Sequence, residues 1–398
     1  MKTSLAWLLL ALAPLACFAQ TDASDETLIV ESLQCRGNIL TACEFITGHI
    51  YLGPGDRLDE QELQNAKLRL TTLRNFESVD VRLEKGSAKG LVTIVVEITE
   101  ADPIAMEWLL GTSARLYGVS QVLAGRLMHQ NLFGAGKIAD VSVVGIVPID
   151  DPERRAFRLT AKYADPHLFG SRKYFAVGSV QYRDESVEDI YGSFGTVDML
   201  RLGATIGRRL WDFSYLTIGY GYRADLEVRS GRWQSDGTFE LDESDDRHAI
   251  DVIYGWNSED DFFFPTRGST FHIGFGLNFG THEPENEFHF QFRKTWQAAA
   301  GSLWTLRIGG DPSPEYRTSF GENQLLSFSY SRPFAHPDVR RGRWYIEPGY
   351  GGAGFAPEGE RIYEIGVKVG VRLETRAFGI VDLYLIATTD PDGRGPIP

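Results

Sequence analysis

From about residue 103 to residue 390 the chain alternates apolar and polar residues with period two. Phe271, Ile273, Phe275, Leu277 and Phe279 alternate with His272, Gly274, Gly276, Asn278 and Gly280. Phe288, Phe290 and Phe292 alternate with His289, Gln291 and Arg293. Ile365, Val367, Val369 and Val371 alternate with Gly366, Lys368, Gly370 and Arg372. Period two predicts β-strands with two unlike faces. The apolar face suits lipid, and the charged, Gly-rich face suits a lumen. A soluble sandwich would show the same alternation with its faces reversed. An aromatic-plus-turn unit punctuates the pattern: Phe133 in NLFGAGK, Phe169 in PHLFGSRK, Trp211 in LWDFS and Phe264 in FFFPTRG, continued by Trp296, Phe334 and Phe378. The spacing averages about 40 residues, the length of one up-and-down hairpin. Aromatics at turns also suit a girdle at the lipid headgroups. The acidic stretch 223–247, with Asp242, Glu243, Asp245 and Asp246, reads as a long external loop. Fifteen strand candidates can be counted. Bacterial barrels normally have an even number, so the expectation is roughly 14 or 16 strands. The prolines of the terminal PDGRGPIP oppose a strand there.

Residues 26–100 follow a different pattern, β-α-α-β-β. A strand is expected over 27–33 and a helix over 40–51, stopped by Gly53-Pro54-Gly55. A second helix starts at Asp59, with Glu62 three residues on, like a capping box. Leu63, Ala66, Leu70 and Leu73 share one face of it. Val79, Val81 and Leu83 alternate in the next strand, and Val92, Ile94, Val96 and Ile98 in the last, with a hairpin over 85–89.

The N-terminus has the order of a secretory signal peptide: Lys2, an apolar run from Leu5 to Ala13, then Pro14 and small residues ending at Ala19. Cleavage after residue 19 would leave Gln20 first. Pro14 and Leu15 before Cys17 fit a lipidation signal poorly. Beyond the signal no apolar run is long enough for a transmembrane helix. A membrane-spanning mature chain must therefore close into a barrel, the other way to pair every backbone group. Composition adds little: 43% hydrophobic and 24% charged would pass for a soluble protein. The net charge of −14 argues against nucleic acid as a partner. Cys35 and Cys43 are the two cysteines of the mature chain, and export to an oxidising compartment favours a disulfide over two reduced thiols.

Catalytic and cofactor motifs are not found. Gly349, Gly351 and Gly354 satisfy G-x-G-x-x-G without a strand-then-helix context. Gly136-Lys137 lacks the rest of a phosphate loop, and no H-E-x-x-H or G-x-S-x-G occurs. His272 and His289 would lie near each other on adjacent lumen-facing strands, and hydrogen-bonded structure is the expectation there rather than a metal. No enzyme activity and no cofactor is expected.

The passage FITGHIYLGPGDRLDEQELQNAKLRLTTLRNFESVDVRLEKGSAKGLVTIVVEITE resembles a POTRA domain, the periplasmic unit of the BamA and TamA superfamily. HQNLFGAGK is similar to the second-to-third strand turn of that superfamily's barrel, and GWNSEDDFFFPTRGSTFHIG to its eighth-to-ninth strand turn. The resemblance implies a transmembrane antiparallel β-barrel preceded by one POTRA-like domain. It also implies the bacterial outer membrane, with the N-terminal domain in the periplasm, contact with outer-membrane lipid, and work on unfolded or extended client proteins. The superfamily's loop motif, Val-Arg-Gly-aromatic, is altered here. In IGGDPSPEYRTSFGENQLL, Arg317 is available but Thr318 stands in place of Gly. Glu347 in WYIEPGYG is the candidate acidic partner, facing inward if Trp344 and Ile346 face lipid. Two other functions compete: a diffusion channel tuned by Arg293, Lys368 and Arg372, and a structural surface antigen without transport.

Thiol labelling of the unreduced, unfolded mature protein should find no free cysteine, whereas stoichiometric labelling of Cys35 and Cys43 would exclude the bridge. The closed loop is short, so reduction should cost at most about 2–3 kcal/mol of stability.

Overall fold

The computed structural model describes residues 28–389 except 74, 116–117, 150–154, 189–193, 212, 229–230, 234–238, 242–245, 262, 281–284, 310–322 and 356–360. The segment expected to be a signal peptide and the terminal PDGRGPIP lie outside the described residues.

The N-terminal unit consists of β1 (Ile29–Arg36), α1 (Cys43–Thr47), α2 (Glu60–Thr72), β2 (Phe76–Lys85) and β3 (Leu91–Glu100). The sheet order is β1-β3-β2, with β1 parallel and β2 antiparallel to β3. Val30, Ile46, Ile50, Leu70, Ile94 and Val96 are fully buried between sheet and helices. The helix expected over 40–51 is shorter. The chain ahead of it is held by Glu100, whose carboxylate accepts from Leu40 N at 2.9 Å and Thr41 N at 2.6 Å. Gly48 caps the other end. Cys35 and Cys43 are bonded across this segment, with Cα atoms 5.7 Å apart. Asp59 caps α2 by accepting from Gln61 N and Glu62 N. Glu62 does not complete a capping box. It accepts from Tyr51 N at 2.8 Å and pairs with Arg69, a buried guanidinium that needs a counter-charge.

The second unit is a single closed barrel. In chain order its strands are β4 (Ile104–Arg115), β5 (Gly118–Leu132), β6 (Lys137–Pro148), β7 (Ala156–Asp165), β8 (Tyr174–Glu188), β9 (Phe194–Arg209) and β10 (Ser214–Val228). A small hairpin, β11 (Gly231–Trp233) and β12 (Phe239–Leu241), stands apart in the long loop. The barrel continues through β13 (Arg247–Asn257), β14 (Gly268–Gly280), β15 (Glu285–Gln297), β16 (Leu303–Ile308), β17 (Asn323–His336), β18 (Val339–Phe355), β19 (Arg361–Thr375) and β20 (Gly379–Thr389).

Among the described residues fifteen strands close this barrel, so the expected 14 or 16 is not confirmed. Successive strands are antiparallel, so an odd count makes the first and last run the same way. β20 accordingly pairs with β4 in parallel over eight residues, from Ile380↔Glu107 to Ala387↔Ala114. The direction of the faces is settled as well. Along β20 the apolar Leu383 and Leu385 are 42% and 65% exposed, while Asp382 and Tyr384 between them are 5% and 4%. The strand turns its leucines outward and buries Asp382 and Tyr384 inward, together with Ile380 and Ile386. Large apolar side chains on the outside and a buried carboxylate inside fit a lipid-facing wall rather than a water-soluble sandwich. NLFGAGK joins the second and third barrel strands, and FFFPTRG joins the eighth and ninth. Phe133 and Phe169 project from their turns, 87% and 94% exposed. Phe264 departs from the expected girdle: it is 3% exposed and turned into the lumen.

The N-terminal unit is seated on the short-turn end of the barrel. Ala42 N donates to Gly134 O at 2.8 Å, and Asn131 Nδ2 to Thr41 Oγ1 at 2.8 Å. A Cβ at Gly136 would lie 2.0 Å from the Phe45 ring, so a glycine is required where α1 meets this turn. The rings of Phe45, His49 and His167 cluster at centroid distances of 4.9–5.2 Å, His167 coming from the β7–β8 turn. Arg172 on that turn donates to Ile50 O at 3.0 Å. Burial pushes His49 down to about 3 and His167 down to about 4.

Both imidazoles are therefore neutral when docked, and the unfolded chain binds protons first as pH falls through the ordinary histidine range. Stability should be intact above pH 6.5 and decline below it. At pH 5, His49 alone should cost about 2 kcal/mol. His49→Gln should flatten this dependence in thermal melts of the full chain at pH 7 and pH 5, and an unchanged slope would refute the assignment.

Candidate functional site

The junction of β4 and β20 is the one place in the described barrel where adjacent strands are not joined through consecutive chain. Parallel pairing is slightly weaker per residue than antiparallel, so this seam can part without breaking a connection. Side chains inside the lumen reinforce it. Tyr384 on β20 lies over Gly111 on β4, where a Cβ would come within 2.3 Å of the ring. Arg372 on β19 reaches past β20 to donate to Glu107 on β4 at 2.8 Å, and it pairs with Asp382 at 3.4 Å. Glu107 also lies 3.8 Å from Arg126 on β5, which chelates Asp140 on β6. An ionic belt thus runs along the inner wall from β6 across the seam to β19.

The belt continues away from the seam on the other side. Lys368 lies 4.3 Å above the Tyr384 ring, a cation–π contact in a partly desolvated site. Tyr345 donates to Asp382 at 2.8 Å. Glu347 is buried and inward-facing; it accepts from Ser327 at 2.7 Å and pairs with Arg307 on β16. Arg317, the loop partner suggested by the sequence, lies outside the described residues. Arg307 went unnoticed in the sequence, although the alternation of β16 carried a signal: Arg307 stands between Leu306 and the exposed Ile308. His272 makes hydrogen bonds to Tyr215 at 2.7 Å and Gln291 at 3.0 Å, and no metal-binding cluster occurs among the described residues. The seam contacts of Glu107, Gly111 and Tyr384 could not be read from sequence, because they join strands at opposite ends of the barrel chain.

An apolar outer wall around a charge-compensated lumen, closed on itself, defines a membrane-spanning β-barrel. The chain belongs to the Omp85 superfamily: residues 131–338, just over half of it, match the Omp85 superfamily domain. A β-barrel of this family implies the bacterial outer membrane, and a membrane-embedded barrel implies contact with lipid. Among solved structures the fold is similar to CdiB from Escherichia coli, with a TM-score of 0.58 and 14% identity over 88% of this chain and 70% of that one. It is also similar to CdiB from Acinetobacter baumannii, with a TM-score of 0.58 and 10% identity over 88% of this chain and 69% of that one. BamA from Haemophilus ducreyi, solved without its first three POTRA domains, superposes less closely, with a TM-score of 0.48 and 13% identity over 91% of this chain and 81% of that one. Among curated protein sequences none matches the chain.

Glu347→Ala should lower the thermal midpoint of the barrel, since removing one partner of a buried ion pair costs about 3–5 kcal/mol. Arg307→Ala should also destabilise, and the double substitution should cost less than the sum. Strict additivity would show that the two do not interact. In the same assay Arg317→Ala tests the loop arginine: a loss that disappears in a Glu347→Ala background would place Arg317 on the same carboxylate.

Proposed function

We propose that this barrel assists the insertion or translocation of client proteins at the outer membrane, receiving extended chains on its N-terminal unit and passing them to the β4/β20 seam. Residues 1–19 act as the export signal, 26–100 as a POTRA-like periplasmic domain and 103–390 as the barrel. The observation that carries this reading is the placement of an open strand edge beside the barrel's untethered seam. Among the described residues β2 pairs with β3 alone, leaving its other edge open. Its first residue follows Asn75, whose side chain donates to Gln130 O on β5 at 3.3 Å. The open edge therefore begins one strand away from the seam. An edge strand offers main-chain hydrogen bonds to any extended chain, which suits a receiver of many sequences. Opening the seam would expose a second such edge within the wall.

The lumen chemistry does not favour a diffusion channel. The arginines and lysine that would tune one are engaged: Arg293 with Glu259, Arg372 with Glu107 and Asp382, and Lys368 over Tyr384. Depleting the protein should remove particular barrel proteins from the outer membrane. Thr112 and Leu385 face each other across the seam. A Thr112→Cys, Leu385→Cys double variant, oxidised, should reproduce the depletion and recover on reduction. An unchanged membrane profile with altered solute uptake would instead support a channel.

A further inference from the structure

The turn between β13 and β14 lies half-way round the barrel from the seam, joining the eighth and ninth of fifteen strands. Its tip nevertheless reaches the seam strands through the lumen. Phe263 and Phe264 are 5% and 3% exposed, in a cluster with Met128 on β5 and Ile380 on β20, against which Ala105 on β4 and Ile138 on β6 also pack. The other aromatic turns do the opposite and leave Phe133 and Phe169 projecting outward.

The turn is built to hold that reach. Asp260 accepts from Thr266 N at 2.8 Å and Arg267 N at 3.1 Å, while Asp261 accepts from Phe263 N at 2.8 Å and Phe264 N at 2.9 Å. Gly268 closes the turn at φ +112, where a Cβ would meet Ser258 O at 2.3 Å. The tip is then anchored to the wall. Arg341 on β18 donates to Asp261 at 2.5 Å and pairs with Glu374 on β19. The guanidinium of Arg341 lies 4.5 Å over the Phe264 ring, and that of Arg372 lies 5.5 Å from it. Arg372 is the same residue that bridges the seam to Glu107. One aromatic ring is thus shared between the anchor of the turn and the ion pair across the seam.

We propose that this turn is an internal strap: it covers the short-turn mouth of the lumen and, through Phe264 and Arg372, holds the seam shut. A barrel strand can leave the seam only after the Phe263–Phe264 tip withdraws from Ile380 and Ala105. The inference rests on the barrel and its seam, and does not depend on what the barrel carries.

The test uses the full chain reconstituted in planar bilayers and liposomes. Phe263→Ala with Phe264→Ala should raise ion conductance several-fold over wild type, and Asp261→Asn should raise it in the same direction by releasing the anchor. Heat-dependent gel mobility checks that each variant is still a closed barrel. The seam is read separately with the Thr112→Cys, Leu385→Cys pair, whose oxidation yield should fall in the strap variants if the strap holds the strands in register. A further pair, Phe263→Cys with Ile380→Cys, should cross-link in the membrane under oxidant, keep conductance at the wild-type level and be reversed by reductant; this variant needs no truncation of the tip. Folded strap variants with wild-type conductance and full seam cross-linking would overturn the proposal, as would failure of the Phe263–Ile380 pair to cross-link. Neither result would touch the client-handling function, which is read from the outer-membrane profile.

Discussion

Inside a bilayer no water is available to satisfy a backbone amide, so a sheet that spans it must have no open edge. Most of what is unusual in this molecule follows from meeting that condition with fifteen strands. An odd, up-and-down sheet closes only by laying its last strand parallel to its first. The closing seam therefore differs in kind from every other junction in the wall. It has no turn to tether it and carries the weaker ladder. Stability at that point has to come from side chains, and the lumen supplies them: the ring of Tyr384 over Gly111 and the Arg372–Glu107 pair.

The charges that line the lumen compensate one another. Arg126 lies between Glu107 and Asp140, Arg372 between Glu107 and Asp382, and Arg307 beside Glu347. Partly buried ions are tolerable only when paired and hydrogen-bonded, so the interior acts as a brace for the wall rather than a lining for solutes. The β13–β14 turn extends the brace across the diameter, bringing two buried phenylalanines to the strands of the seam. The seam, which no turn tethers, is thereby braced by side chains from the far side of the lumen.

The same economy governs the N-terminal unit. It is fixed to the barrel by short polar contacts from Asn131, Gly134 and Arg172, and by an aromatic cluster that includes two neutral histidines. Among the described residues β2 pairs with β3 alone, and it starts beside β5, one strand away from the untethered seam. These contacts fix the open edge of the unit relative to the seam.

Local pattern determined much of this protein from the sequence alone. Period two fixed which residues of each strand share a face, so Glu347, Lys368 and Arg372 were legible as one inward set. The turn passages NLFGAGK and FFFPTRG were legible in position, between the second and third and the eighth and ninth strands. Even the count of fifteen is present in the alternation; only the even-number rule of bacterial barrels points away from it. Tertiary structure decided what local pattern cannot encode. Which side of the alternation meets lipid depends on closure. Phe264 carries the same turn signal as Phe133, yet it faces inward because Arg341 and Asp261 hold its turn across the lumen. The guanidinium that the described structure places on Glu347 is Arg307, because β16 and β18 flank the same strand, a neighbourhood set by sheet order. The contacts across the seam join residues more than 260 positions apart; no periodicity links them, and only the closing of the ring brings them together.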